Sequence, residues 1–403
     1  MTTTTGPDLF ADDFQSDPYR FYAAMRREAP VRAVQLPTGR AWLVTRYADA
    51  RAALTDPRLS KQLTDRAVDA AYGVAPPPEQ RRLADHMLNF DPPDHTRLRR
   101  LVAKVFTPAR IEALRPRVRQ IAEELAGPLA GRERFDLVGE FAFPLPITVI
   151  CELLGVPMAD RDTFREWSNA IVAGVAAGTD LSVGRLLADY IVELIAAKRA
   201  DLSPDLLSEL IAVREAGDRL TGSELVGMVF LLLVAGHETT VNLIGNGMYL
   251  LLTHPDQLAR LRADHGLIPA AVEEFLRYES PVATTTPRFT TEPVELGGVT
   301  IPAGELVFVA LGSVNRDPDR FADPEVFDVT RGDSSHLAFG HGIHFCLGAP
   351  LARLEGQLAF ETLLTLQPDV RLAVPADRLR WRRGILLRGL VDLPVTTGAG
   401  ASA

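Results

Sequence analysis

The sequence contains only two cysteines, Cys151 and Cys346, and its N-terminus lacks the features of a secretory signal. Two cysteines cannot build a disulfide framework, and they cannot supply the four ligands of an iron–sulfur cluster. The first residues have neither a basic stretch nor an apolar one, and the longest apolar run, residues 228–235, is too short to span a bilayer. We therefore expect a cytoplasmic protein with no membrane partner.

Positive charge is also scarce. The chain has 43 Lys and Arg residues against 52 Asp and Glu residues, giving a net charge of −9. A nucleic-acid partner would normally require a basic excess, so none is expected. No GxGxxG motif follows a strand, which removes the usual signature of a bound nicotinamide or flavin.

The 403 residues have an ordinary globular composition, with 47% hydrophobic and 24% charged residues. Helix-forming residues dominate the middle of the chain, and strand patterns gather near both ends. One helix is predicted over 110–129, another is predicted to begin with a capping box at 221–224 and to run to about 252, and residues 294–301 are predicted to form a hairpin. The pattern predicts a mainly helical α+β fold in a single domain, residues 1–403. Its helix-rich core should cover about 90–280 and 347–367, and its β-rich parts about 30–60, 282–312 and 370–396.

The segment FGHGIHFCLG, residues 339–348, places Cys346 among glycines and directly before a predicted helix. The free N–H groups and dipole of a helix N-terminus lower a thiol pKa and favour a thiolate metal ligand. Two other interpretations stay open on the residues alone: an inert buried thiol, and a zinc site formed by His341, His344 and Cys346. Cys151 lies in an apolar run and is predicted to be a buried structural thiol.

This segment, with the APLARLE that follows it, closely resembles the haem-binding loop of the cytochrome P450 family, whose iron ligand is a cysteine thiolate. The resemblance extends from Trp42 to about Leu390 and is closest to soluble actinobacterial hydroxylases of macrolides, other polyketides and sterol-like molecules. It implies the cytochrome P450 fold, a triangular helix-rich body with a smaller β region. It also implies a haem b cofactor with Cys346 as the iron ligand.

The polar residues 237–240, with the sequence HETT, interrupt the apolar segment 225–252. Gly236 should weaken the helix there, and the Thr239 hydroxyl can bond back to the Ala235 carbonyl, so a local opening is expected. The resemblance implies that Glu238 and Thr239 are an acid–alcohol pair that delivers protons for the reduction of dioxygen. Many relatives have aspartate where this chain has Glu238.

His95 and Arg99 are four residues apart on a basic helix and should share a face. Spacing alone is equally compatible with a solvated basic helix. The resemblance implies that His95, Arg99, Arg288 and His344 bind the haem propionates through charge-assisted hydrogen bonds. It also implies four further cofactor contacts: Phe339, Gly340, Gly348 and Ala235.

Glu274 and Arg277 are three apart and alone would indicate a surface ion pair. The resemblance implies a buried structural pair, joined by a third arginine from residues 315–321, either Arg320 or Arg316. The substrate pocket is expected to be lined by mainly apolar segments, which are residues 60–91, 167–190, the long helix near 234–235, 282–286 and 385–387. The residues singled out within those segments are Leu88, Val234, Val282, Thr285 and Leu386.

The resemblance implies a monooxygenase that inserts one oxygen atom of dioxygen into a bulky lipophilic substrate by hydroxylation or epoxidation. A macrolide or other polyketide is the expected substrate, and a steroid or other terpenoid the alternative. A peroxide-driven peroxygenase and a non-catalytic haem protein are disfavoured because Glu238 and Thr239 are both present.

Electrons should arrive from a ferredoxin and its ferredoxin reductase, because the chain carries no second redox centre. A basic patch on the helix that bears His95 could attract an acidic partner. Its predicted members are Arg97, Arg100 and Lys104, extended by Arg353.

Overall fold

The computed structural model describes residues 7–62, 81–160, 163–164, 166–167, 170, 181–213 and 217–397. Helices form most of this part of the chain, as expected. They are α1 Asp12–Ser16, α2 Tyr19–Glu28, α3 Tyr47–Thr55, α4 Asp94–Val105, α5 Pro108–Ala113, α6 Arg115–Ala126, α7 Pro144–Leu154, α8 Leu181–Ala200, α9 Leu206–Ala212, α10 Gly222–Thr253, α11 Pro255–Ala263, α12 Ile268–Tyr278, α13 Leu311–Val314 and α14 Ala349–Leu366.

The strands are short and form three small sheets. They are β1 Val31–Leu36, β2 Gly39–Val44, β3 Leu59–Ser60, β4 Arg134–Asp136, β5 Arg288–Thr290, β6 Val294–Leu296, β7 Val299–Ile301, β8 Leu306–Val309, β9 Arg371–Leu372 and β10 Pro394–Thr396. The largest sheet has the order β1-β2-β8-β5-β3, in which only β2 and β8 are parallel. The second has the order β4-β10-β9, and β6 and β7 form the predicted hairpin.

The long helix α10 is the central element of the core. Its N-terminus has the predicted capping box, in which Thr221 and Glu224 satisfy each other's backbone amides. It packs against α7 and α14, and a Cβ on Gly247 would lie 2.4 Å from the Phe360 ring, so this close contact requires glycine. By length and composition α10 could cross a membrane, but 61% of its most apolar window is buried inside the protein.

One local prediction was wrong. The helix expected over 110–129 is split at Leu114 into α5 and α6, with Pro116 in the first turn of α6, where a proline disfavours continuation of the preceding helix. Strand β4 lies within the region expected to be helix-rich and pairs with β10 from the far end of the chain. Most of the expected substrate segments 60–91 and 167–190 lie outside the described residues.

Candidate active site

The loop of residues 339–348 leads into α14, and its glycines determine its path. Gly340 and Gly342 have left-handed backbone, with φ of 75° and 74°. A Cβ on Gly342 would also lie 3.0 Å from the carbonyl oxygen of Leu54 in α3. The Cys346 amide donates to the Phe339 carbonyl over 2.9 Å, so the loop closes on itself just before the helix.

The Cys346 side chain is accessible at its surface, yet many protein atoms surround the sulfur. Desolvation raises the pKa of the thiol, although the backbone amides of Gly348 and Ala349 and the positive charges of Arg99 and Arg353 act in the opposite direction. The expectation of a lowered pKa was therefore wrong for the thiol of the protein alone. Metal coordination deprotonates a thiol outright, and the same amides and cations then stabilise the thiolate.

The zinc interpretation finds no support in the fold. Within the described part of the chain, no three His, Cys, Asp or Glu side chains are close enough to hold a metal ion, so His341, His344 and Cys346 do not form such a site. Cys151 is buried in α7, which confirms its predicted burial. Cys346 is thus the cysteine available to a planar cofactor.

The aromatic side chain of Phe339 contacts Arg353 on α14. The Arg353 guanidinium lies 4.6 Å from the centre of the Phe339 ring, and the Phe345 ring lies 6.3 Å away. Arg353 makes a bidentate pair with Glu273, at 2.7 and 2.8 Å. Arg353 therefore fixes the loop, and its predicted place in an open basic patch was wrong because its charge is already paired.

Three side chains near the loop carry buried polar atoms without partners. Both ring nitrogens of His95, Nε2 of His344 and Nε of Arg288 have no hydrogen-bond partner among the described residues. The His95 and His344 rings are 4.4 Å apart, and His95 and Arg288 are 2% and 6% exposed. Buried polar atoms are almost always paired. Each of these three side chains can present an N–H from an unpaired nitrogen, so the group fits a ligand that brings acceptors, such as the two carboxylates of haem.

The electrostatics of this group favour an anion. Burial and the neighbouring cations, Arg288 first, lower the pKa of His344 to about 2, so its ring is neutral. Burial also lowers the pKa of Arg288 to about 10. Burial, with a smaller contribution from the charge of Arg99, lowers the pKa of His95 as well. Arg99 donates to the Phe345 carbonyl over 2.7 Å, which places its guanidinium beside the cysteine loop. The four predicted propionate partners are thus grouped around the loop.

On α10, the Thr239 hydroxyl donates to the Ala235 carbonyl over 3.0 Å, which confirms the expected back-bond. The helix nevertheless remains α-helical through this segment, so the expected local opening does not form. A Cβ on Gly236 would lie 3.2 Å from Ile150, showing that this glycine serves a close contact with α7.

Glu238 is buried and ionised by its neighbours. Its Oε2 accepts from Arg382 over 3.2 Å, and its Oε1 lies 3.5 Å from Nε2 of His237. Burial raises the carboxyl pKa, but His237 and Arg382 outweigh it, and the pKa is lowered. Nδ1 of His237 lies 2.6 Å from the Leu233 carbonyl and so must carry a proton. Sequence reasoning missed Arg382, which no local pattern connects with α10.

The pair formed by Glu274 and Arg277 on α12 is buried, as expected. Their side chains are 1% and 0% exposed and are joined by bonds of 2.7 and 2.8 Å. The remaining donors of Arg277 bond the carbonyls of Asn315, Pro324 and Val326. This arginine therefore ties α12 to the segment that precedes the cysteine loop.

The third member of this cluster is Arg331, whose Nε lies 3.2 Å from Glu274. The prediction of Arg320 or Arg316 was wrong. Arg320 pairs with Asp333 at the surface, and Arg316 donates to Glu325 over 2.9 Å and lies between two tyrosine rings. The sequence alone does not show which of the arginines at 316, 320 and 331 lies beside Glu274, because that depends on the path of the folded chain.

Two of the expected substrate segments lie side by side. The Ala283 amide donates to the Leu386 carbonyl over 2.9 Å, and Val282 bridges Leu387. The Thr285 amide donates to the Val309 carbonyl of β8 over 2.9 Å. The residues expected to contact substrate are all half-buried: Leu88, Val234, Val282, Thr285 and Leu386.

The predicted basic patch on α4 is smaller than expected. Arg97 pairs with Glu224 and lies 3.4 Å from Asp218, so its charge is neutralised. Arg100 and Lys104 are exposed on the same helix. Of the three predicted members on α4, these two are the ones with exposed side chains.

Comparison with known proteins identifies the family. The cytochrome P450 family model matches residues 181–366. Cytochrome P450 107B1 of Saccharopolyspora erythraea is 54% identical, over 99% of this chain and all of that protein. The chain is a cytochrome P450. The 6-deoxyerythronolide B hydroxylase of the same organism is 48% identical, over 97% of this chain and 99% of the relative.

The fold agrees with that of a solved cytochrome P450. PksS, from the bacillaene polyketide synthase of Bacillus subtilis 168, superposes with a TM-score of 0.89, at 40% identity, over 97% of this chain and all of that one. This cytochrome P450 is therefore a haem-dependent monooxygenase with haem b as its cofactor. The unpartnered donors beside the cysteine loop fit that cofactor.

Proposed function

We propose that this cytochrome P450 hydroxylates a macrolide or another bulky polyketide, with Cys346 as the iron ligand. The observation that carries the proposal is the grouping of unpartnered buried donors around the loop that bears this cysteine. The half-buried apolar substrate segments and the likeness to a cytochrome P450 of a polyketide synthase support the substrate class. We propose that residues 1–403 form one domain that acts in the cytoplasm.

The protein's own residues hold the cofactor. His95, Arg99, Arg288 and His344 bind its carboxylates through charge-assisted hydrogen bonds. When bound there with a thiolate ligand, haem would supply the chemistry of a monooxygenase, in which two electrons and two protons reduce dioxygen, one oxygen atom is added to the substrate and the other is released as water. Four further residues are proposed to contact the macrocycle: Phe339, Gly340, Gly348 and Ala235.

Glu238 and Thr239 supply protons. The hydroxyl of Thr239 donates to Ala235, which leaves its oxygen free to accept and orient a proton donor. Glu238 is ionised beside Arg382, whose side chain is 22% exposed and so connects the buried carboxylate with solvent. The carboxylate can therefore take up a proton from the solvent side and pass it towards Thr239.

Electrons are proposed to come from an acidic ferredoxin and its reductase. Arg100 and Lys104 are exposed on α4, which adjoins the cysteine loop through the bond from Arg99. Ile343 and Phe345 of that loop are 48% and 40% exposed. An apolar centre with basic residues beside it suits transient docking of an acidic protein.

The function is tested by turnover with purified ferredoxin, its reductase and NADPH on macrolactones, with a steroid series as the matched comparison. In isotopically labelled dioxygen, we expect macrolactone products that contain one labelled oxygen atom. Hydroxylation of steroids alone would contradict the substrate class. Equal turnover with hydrogen peroxide and no partner protein would contradict the ferredoxin-dependent mechanism.

A further inference from the structure

Lys61 is a buried lysine whose ammonium group has only neutral partners. It follows β3 and is 3% exposed. Its Nζ donates to the Thr286 hydroxyl and, over 3.1 Å, to the Pro287 carbonyl. Among the described residues it forms no ion pair, and an ammonium group has a third N–H to donate. Charged groups this deeply buried are normally paired with an opposite charge.

The sheet places a second buried cation beside it. Strand β3 pairs with β5 so that Leu59 faces Thr290 and Ser60 faces Phe289. Continuing this register by one residue sets Lys61 opposite Arg288, the first residue of β5. Like charges directly opposite each other destabilise a sheet. Burial is the largest cause that lowers the pKa of Lys61, and the charge of Arg288 is the second. The fold by itself therefore disfavours a charged Lys61 beside Arg288.

The carboxylate whose charge attracts Lys61 is that of Asp91, which already accepts two hydrogen bonds. Its oxygens accept from the Ser60 hydroxyl and, over 3.0 Å, from the backbone amide of Lys61. The same carboxylate acts on Arg288. Two buried cations therefore share one carboxylate, and Arg99 adds a further positive charge near the loop.

Lys61 also faces the group of residues beside the cysteine loop. The charges of Arg288, Lys61 and Arg99 each act electrostatically on His344, so all three lie in its neighbourhood. With Asp91 as their carboxylate, these cations leave an excess of two positive charges. The two carboxylates of haem would neutralise that excess.

We propose that Lys61 is a further haem-binding residue, whose ammonium group acts with Arg288 on a haem carboxylate. The proposal rests on the proposed haem site beside Cys346. The competing role is purely structural, in which Lys61 only ties the end of β3 to Thr286 and Pro287. The two roles differ because only the first depends on the charge of the cofactor's carboxylates.

A double-mutant cycle separates them. Wild type and Lys61→Gln are each loaded with haem or with its dimethyl ester, whose carboxylates carry no charge. The rate of haem loss to excess apomyoglobin is then measured. Glutamine keeps an N–H for Pro287 but removes the charge. We expect Lys61→Gln to lose haem about tenfold faster than wild type, and to show a much smaller effect of esterification.

Matched variants complete the test. Lys61→Arg, which keeps the charge, should retain the wild-type response to esterification, and Arg51→Met, which removes an exposed charge on α3, should lose haem at the wild-type rate. If Lys61→Gln does not fold, Lys61→Met enters the same cycle. The proposal would be overturned if esterification changed the rate of haem loss by the same factor in Lys61→Gln as in wild type. Such a result would leave the proposed function intact, since a thiolate spectrum of haem-loaded wild type tests that separately.

Discussion

Replacing Arg331 with methionine tests the buried ion cluster on α12. The Glu274 side chain is 1% exposed, and Arg331, at 14%, is its second cationic partner. Arg331 also donates to the carbonyls of Ala322, Asp323 and Val326 over 2.7 to 3.0 Å. Breaking a buried ion pair costs about 3–5 kcal/mol. Because Glu274 retains Arg277, we expect a loss near the lower end, about 3 kcal/mol.

The matched control is Arg320→Met. Arg320 and Asp333 are 37% and 34% exposed, and exposed pairs contribute about 0–1 kcal/mol. Urea unfolding of haem-loaded protein, followed by haem absorbance and by far-ultraviolet circular dichroism, should show a much lower midpoint for Arg331→Met and little change for Arg320→Met. Equal losses in the two variants would refute the assignment of Arg331 as the third member of the cluster.

Three further predictions concern the chemistry and its partner. Thr239→Ala should bind haem and substrate but release hydrogen peroxide instead of product, and unchanged coupling of NADPH use to product would remove Thr239 from proton delivery. Arg382→Met should cost about 1–2 kcal/mol of unfolding free energy near neutral pH. Since the folded-state pKa of Glu238 is lowered, this difference should shrink as the pH falls through that pKa, and a pH-independent difference would contradict the ion pair. Arg100→Glu combined with Lys104→Glu should slow reduction by ferredoxin most at low salt, and rates equal to wild type at every salt concentration would remove the docking surface.

The sequence predicted those features whose signals are local. The glycines and the cysteine of residues 339–348, the capping box at Thr221 and the back-bond from Thr239 to Ala235 each depend on residues within a few positions of one another. Such patterns fix backbone geometry regardless of what packs around them. The spacing of Glu274 and Arg277 likewise predicted their contact, although only the resemblance predicted its burial.

The remaining features depend on contacts between distant parts of the chain. Arg382 donates to Glu238 across 144 positions, and the pairing of the two-residue strand β3 with β5 brings Lys61 into the neighbourhood of Arg288. No periodicity marks either residue. Arg331 was missed because arginines close together in sequence are indistinguishable until the chain path selects one. The pKa of Cys346 was misjudged because desolvation depends on the packed surroundings.

The most direct test of the account is the absorption spectrum of the reduced carbon monoxide complex after Cys346→Ser. Thiolate-ligated haem gives this complex a characteristic band. We predict that Cys346→Ser abolishes the band while Cys151→Ser, which alters the buried cysteine of α7, leaves it unchanged. A normal band in Cys346→Ser would contradict the assignment of the iron ligand and the proposed site built around it.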